Sequence, residues 1–106
     1  MIDEELLELA AKATGSDFSN KLIPEVQGKR KGPFILKGSR WVQWNPLTDD
    51  GDALRLAVKL KMTLGVGVAR GDAGEATEFD LCHRDPCAAT RRAIVRAAAE
   101  IGRNMK

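Results

Sequence analysis

Residues 44–60, WNPLTDDGDALRLAVKL, decide how the chain divides into elements. Asn45-Pro46 ends a strand, because proline has no N–H to give to a ladder. Thr48 or Asp49 then caps a helix, and Asp50 and Asp52 fall in its first turn, where the helix dipole favours carboxylates. Leu54, Ala57, Val58 and Leu60 recur at helical spacing and are expected to face the core, with Arg55 and Lys59 on the wet side. Gly51 is tolerable so close to the helix start.

Working outward, residues 34–36 and 41–44 read as two short strands joined by the turn KGSR (37–40), an antiparallel hairpin. On the other side, residues 62–69 alternate with period two. Met62, Leu64, Val66 and Val68 point one way, and the small Thr63, Gly65, Gly67 and Ala69 point the other. A turn at RGDAG (70–74) leads to a strand over 75–81, with Thr77, Phe79 and Leu81 inward and Glu78 and Asp80 outward. The first element is a helix over 4–14, with Asp3 as N-cap, Glu4 and Glu5 in the first turn and Gly15 after its end. Its apolar stripe is Leu6, Leu9, Ala10 and Ala13. Residues 16–33 show neither period and read as a loop.

The last helix opens with Asp85 as N-cap and Pro86 at N1, where the missing N–H costs nothing. Cys87, Ile94, Ala98, Ile101 and Met105 line one face. Arg92, Arg96 and Arg103 line the opposite face, with Glu100 placed to pair with Arg96 and Arg103. The expected order is therefore αββαββα: an α+β domain over residues 1–106, with one four-stranded antiparallel sheet packed with helices in layers.

Composition narrows the setting. The longest uncharged, mainly apolar run is residues 62–69, far short of the roughly 20 needed to cross a bilayer, so no membrane partner is expected. The acidic start MIDEELLELA is unlike a signal peptide. Two cysteines without a disulfide framework fit a reducing cytoplasm. The net charge of +2 hides alternating blocks: residues 1–20 carry −4, 21–45 carry +5, 46–80 carry −3 and 81–106 carry +4. That total is too small to identify a nucleic-acid binder by charge.

Each chemical motif has a structural explanation. The acids at 49, 50 and 52 lack the spacing and terminal glutamate of a calcium loop and are accounted for by the helix start. Cys82, His83 and Cys87 supply too few ligands for tetrahedral zinc, and Cys87 on the apolar stripe reads as a core thiol. The glycines at 65, 67 and 71 are not followed by a helix, so they form no phosphate loop; they suit close approach of a helix or another backbone. No cofactor is expected.

Candidate binding residues remain. Lys29, Arg30 and Lys31 form a small basic knob between glycines. Arg92, Arg96 and Arg103 form a longer basic face, with Arg91 at its edge. Trp41 and Trp44, three apart in one strand, point to opposite faces, so at least one is core and the other is a candidate interaction anchor; the sequence leaves open which of the two is exposed, and Trp41 is the candidate carried forward.

Three segments, DEELLELAAKA (3–13), WNPLTDDGDALRLAVKL (44–60) and DPCAATRRAIVRAAAEIGRNM (85–105), resemble a family of small proteins encoded by tailed phages and prophages. The resemblance implies a compact α/β/α-type layered fold, expression in the cytoplasm of a bacterial host and a non-structural accessory role. It carries no catalytic residues with it. The expected function is that of a small binding protein, not an enzyme, that contacts a host or phage protein and modulates a host pathway or defence system. The alternatives are a nucleic-acid-binding accessory protein using residues 29–31 and the helix arginines, and a small-nucleotide binder or enzyme using the bare Gly65/Gly67 face. A homodimer through an uncovered sheet edge or the small-residue face is compatible with all three.

Overall fold

The computed structural model describes residues 2–19 and 33–105. The elements are α1 (Asp3–Ala13), β1 (Phe18–Ser19), β2 (Phe34–Lys37), β3 (Arg40–Gln43), α2 (Asp50–Lys59), β4 (Thr63–Gly65), β5 (Val68–Gly71), β6 (Gly74–Thr77), α3 (Phe79–Arg84) and α4 (Pro86–Asn104). The class is α+β, but the expected four-stranded sheet is replaced by two three-stranded antiparallel sheets, β1-β2-β3 and β4-β5-β6.

The first sheet follows the expected hairpin closely. Gly38 takes a positive φ of 62° in the turn, and Lys37 pairs with Arg40 across it. A third strand comes from the segment expected to be loop: Phe18 and Ser19 pair with Ile35 and Phe34.

The second sheet departs from expectation at Gly67. Residues 62–69 are not one strand but a hairpin of their own, with Gly65 paired to Val68 across the turn at Val66 and Gly67. Gly67 has φ 73°, a conformation that costs glycine little. A Cβ there would also lie 3.1 Å from both Cβ and Sγ of Cys82. The turn reverses the chain, so Leu64 faces Ala69, and Val68 loses the face it was expected to share with Leu64. Asp72 and Ala73 make the next turn, and β6 ends at Thr77. The strand expected over 75–81 therefore stops early. Phe79, expected inward, is exposed on the short helix α3 and meets His83 edge-on at 5.0 Å between ring centroids.

α4 is the central element, packed by α1, α2 and the β4–β6 sheet. Its start is as expected: the Asp85 carboxylate accepts the Ala88 N–H at 3.1 Å, and Pro86 is in the first turn. Ala89, Ala93, Ile94, Val95, Ala97, Ala98, Ala99 and Gly102 are buried. The helix is lined mainly by small residues, which lets α1 lie against it closely. α1 buries Leu6, Leu7, Ala10 and Ala11, a stripe rotated from the expected one. Asp3 lies within α1 instead of capping it, and its carboxylate is drawn to Arg92 at 3.0 Å. One cluster of buried side chains takes Ile35 and Trp44 from around the first sheet, Ala69 and Ala76 from the second, and the inner faces of α1, α2 and α4.

The 44–60 segment sets the position of α2. Asn45 Oδ1 accepts the Leu47 N–H at 3.1 Å, and Pro46 is fully buried. Asp49 is the N-cap, accepting the Asp52 N–H at 2.8 Å. Asp52 in turn accepts the Asn45 N–H at 2.9 Å and pairs with Arg55 at 2.7 Å. The helix ends with the Lys61 N–H donating to Val58 O and the Met62 N–H to Ala57 O, the two bonds of a Schellman motif. Lys61 occupies the left-handed position, φ 55°, that glycine usually takes. Lys61→Gly is therefore expected to raise stability by about 0.5–1 kcal/mol, the relief of left-handed strain being partly offset by glycine's extra unfolded-state entropy. A chemical denaturation series that shows a loss would contradict this.

Candidate protein-binding groove

α2 is rotated from its expected setting. Ala53, Leu56 and Ala57 are buried, whereas Leu54 and Val58, expected in the core, are 57% and 67% exposed. The helix carries apolar residues at 53, 54, 56, 57 and 58, an arc too wide for one contact face, and the structure buries three of the five. That surplus was the available signal for a surface site.

Leu54 forms one wall of a groove of about 280 Å³. The opposite wall is Leu64 and Val66 of the β4–β5 hairpin, and Pro86, Cys87, Thr90 and Ile94 of α4 also line it. Leu64 and Val66 are both exposed, Val66 at 67%. Val58 lies one turn of α2 beyond Leu54. Exposed apolar side chains gathered around one groove, as Leu54, Leu64 and Val66 are, mark an interaction site more often than a lone exposed side chain does.

Adjacent residues of α4 hold the two walls. Thr90 Oγ1 accepts the Gly67 N–H at 2.9 Å and donates to Pro86 O at 2.8 Å, which ties the hairpin turn to the helix. Arg91 reaches the other way: Nε donates to Leu47 O at 2.9 Å and a terminal nitrogen pairs with Asp50 at 2.6 Å. The groove thus has a braced floor and walls fixed by hydrogen bonds, with apolar side chains facing outward from both.

Cys87 corrects an expectation. It is exposed in the first turn of α4, ahead of Ala89 where burial of that helix begins, and it is not a core thiol. Cys82 is half-buried, with its thiol 3.8 Å from Val66 O. Both are free thiols, and among the described residues no group of three or more His, Cys, Asp or Glu is arranged to hold a metal ion.

Those of the expected binding residues that the structure describes lie elsewhere. Lys29, Arg30 and Lys31 are outside the described residues. Trp41 is partly buried on β3, opposite Leu36. Arg92 pairs with Asp3 and with Glu78 at 3.2 Å. Arg96 pairs with Glu78 too and donates to Thr77 O at 3.1 Å, so its partner is Glu78 and not the expected Glu100. Arg103 pairs with Glu100 at 3.2 Å. Glu78 gathers two of the three arginines and ties the end of β6 to α4. None of Trp41, Arg92, Arg96 and Arg103 lines the groove.

Among the described residues no helix is long and apolar enough to cross a membrane. Compared with protein-family models, curated proteins and solved structures, the chain matches none.

Proposed function

We propose that this chain is a small accessory binding protein that contacts another protein through the groove between α2 and the β4–β5 hairpin. The observation that carries the proposal is the exposure of Leu54, Leu64 and Val66 around a groove whose floor and walls are braced by Thr90 and Arg91. A main chain held this way loses little further freedom on binding, so burying the side chains it carries contributes to affinity with a smaller ordering cost than on a mobile loop. The setting, a tailed phage or prophage acting in the cytoplasm of a bacterial host on a host or phage protein, is supported by the resemblance of residues 3–13, 44–60 and 85–105 to phage proteins. Those segments are α1, the lead into α2 with α2 itself, and α4.

A nucleic-acid interface on the arginine face gains less support. Phosphate neutralisation needs guanidinium groups with charge to spare. Asp3, Glu78 and Glu100 already sit against Arg92, Arg96 and Arg103.

The test is a pair of affinity captures from bacterial host lysate, one with the native chain and one with a Leu54→Asp/Val66→Asp double variant. Both positions are exposed, so the melting temperature is expected to change by no more than a few degrees. A protein retained by the native chain and lost, by at least tenfold, with the variant supports the groove. Identical protein sets on both, or no specific protein on either, would remove it.

A further inference from the structure

We infer that the partner enters the groove as an extended segment, adding a fourth strand to the free edge of β4; this rests on the protein-binding reading above. Among the described residues the order β4-β5-β6 leaves β4 at an edge, and Thr63, Leu64 and Gly65 are all exposed. The hydrogen-bond phase of the sheet shows which way their main-chain groups point. Across the two-residue turn at Val66 and Gly67, Gly65 and Val68 form the bonded pair that closes the hairpin. Alternation then makes Leu64 and Ala69 a non-bonded pair, which turns the Leu64 N–H and C=O away from β5.

The other side of the sheet fixes the same phase independently. Glu78 N–H donates to Gly67 O at 2.8 Å, which continues the β5–β6 register. Alternating from that bond makes Ala69 and Ala76 a bonded pair, so the Ala69 main chain faces β6 and not Leu64. It also turns the Thr77 carbonyl outward from β6, where Arg96 takes it at 3.1 Å. On β4 the equivalent outward pair at Leu64 meets no such partner among the described residues. The edge Thr63-Leu64-Gly65 also contains no charge and no proline, two of the usual means of discouraging strand addition.

What lies beside this edge is the groove. Leu64 is opposite Ala69, which is buried, so the side chain of a residue added opposite Leu64 falls on the same face, toward Leu54, Val66 and Ile94. Its neighbours along the segment turn to solvent. An incoming helix would fill the groove but leave the Leu64 amide and carbonyl unmet; an extended segment meets both.

Charge gives the segment a direction. Lys59 and Lys61, where α2 turns into β4, are exposed and make no ion pair among the described residues. The other end of the groove has Asp50, at the start of α2, whose charge is already met by Arg91, itself part of the lining. The complementary segment carries an acidic residue at the lysine end and a large apolar side chain opposite Leu64.

A displayed library of random ten-residue peptides, selected on the full chain and followed by synthesis of the enriched sequences, tests this. Enriched peptides are expected to carry apolar residues at every second position. Binding is expected to slow hydrogen exchange of the Leu64 amide at least tenfold. N-methylation of the peptide amide opposite Leu64 is expected to weaken binding at least tenfold with all side chains kept. Peptides that need Leu54 but show apolar residues at i, i+3 and i+4, or that tolerate N-methylation with no protection at Leu64, would overturn strand addition while leaving the groove as a docking surface. If no enriched peptide depends on Leu54, both readings fall.

Discussion

Trp44→Ala is expected to lower the melting temperature by about 15 °C or more, and Trp41→Ala by less than half as much. Trp44 is 7% exposed, belongs to the main buried cluster and meets Phe18 edge-to-face with ring centroids 6.2 Å apart. Its N–H also closes the first hairpin on Pro33 O at 3.0 Å, a bond that alanine keeps. Truncating a buried tryptophan costs about 3–5 kcal/mol through lost transfer energy and the cavity left behind. A domain of roughly 100 residues loses about 4–8 °C per kcal/mol. Trp41 is only partly buried and lies outside that cluster, so less apolar area returns to water. Thermal melts followed by circular dichroism decide it: equal losses for the two variants would mean that the two indoles share the core.

Gly102→Ala is expected to destabilise by about 2–3 kcal/mol, or at least 10 °C, although alanine is the better helix former by about 1 kcal/mol. The reason is the approach of α1. A Cβ at Gly102 would stand 1.9 Å from Leu9 O and 2.8 Å from Leu9 C, both backbone atoms that cannot step aside without moving α1. Gly102 is buried against that helix. The sign of the change is therefore the test. In a solvent-facing helix the same substitution stabilises, so a raised melting temperature would show that α1 yields to the methyl group without loss.

The parts of the fold legible in the sequence are those fixed by local chemistry. The starts of α2 and α4 follow from Asp49 and from Asp85-Pro86, and the first hairpin from its turn at Gly38. What was not legible depended on choices that periodicity leaves open. A two-residue turn at Val66-Gly67 leaves the alternation of Met62, Leu64, Val66 and Val68 intact on paper while reversing the chain. Phe79 and Leu81 continue the alternation past β6, yet the backbone after Thr77 coils into α3. On α2, Leu54 with Val58 and Ala53 with Leu56 and Ala57 are competing stripes, and only the placement of α4 selects the second. The groove is hidden in the sequence for the same reason, since the spacing of Leu54 and Val58 reads as core. The arginine face was seen, but Glu78, its main partner, is distant in sequence from Arg92 and Arg96 and was expected on a strand.

The pairing of α1 with α4 has a consequence for how the molecule is made. Ala13 and Pro86 are 73 positions apart, so α1 leaves the ribosome long before its principal neighbour exists. At about 5–20 residues per second, Leu6, Leu7, Ala10 and Ala11 wait several seconds with their apolar stripe uncovered. Closing such a long loop early is entropically unfavourable, so α1 docks late and folding completes only after synthesis of α4. During that interval the nascent chain presents a short amphipathic helix as a target for chaperones, and the native molecule withdraws it once Gly102 settles against Leu9.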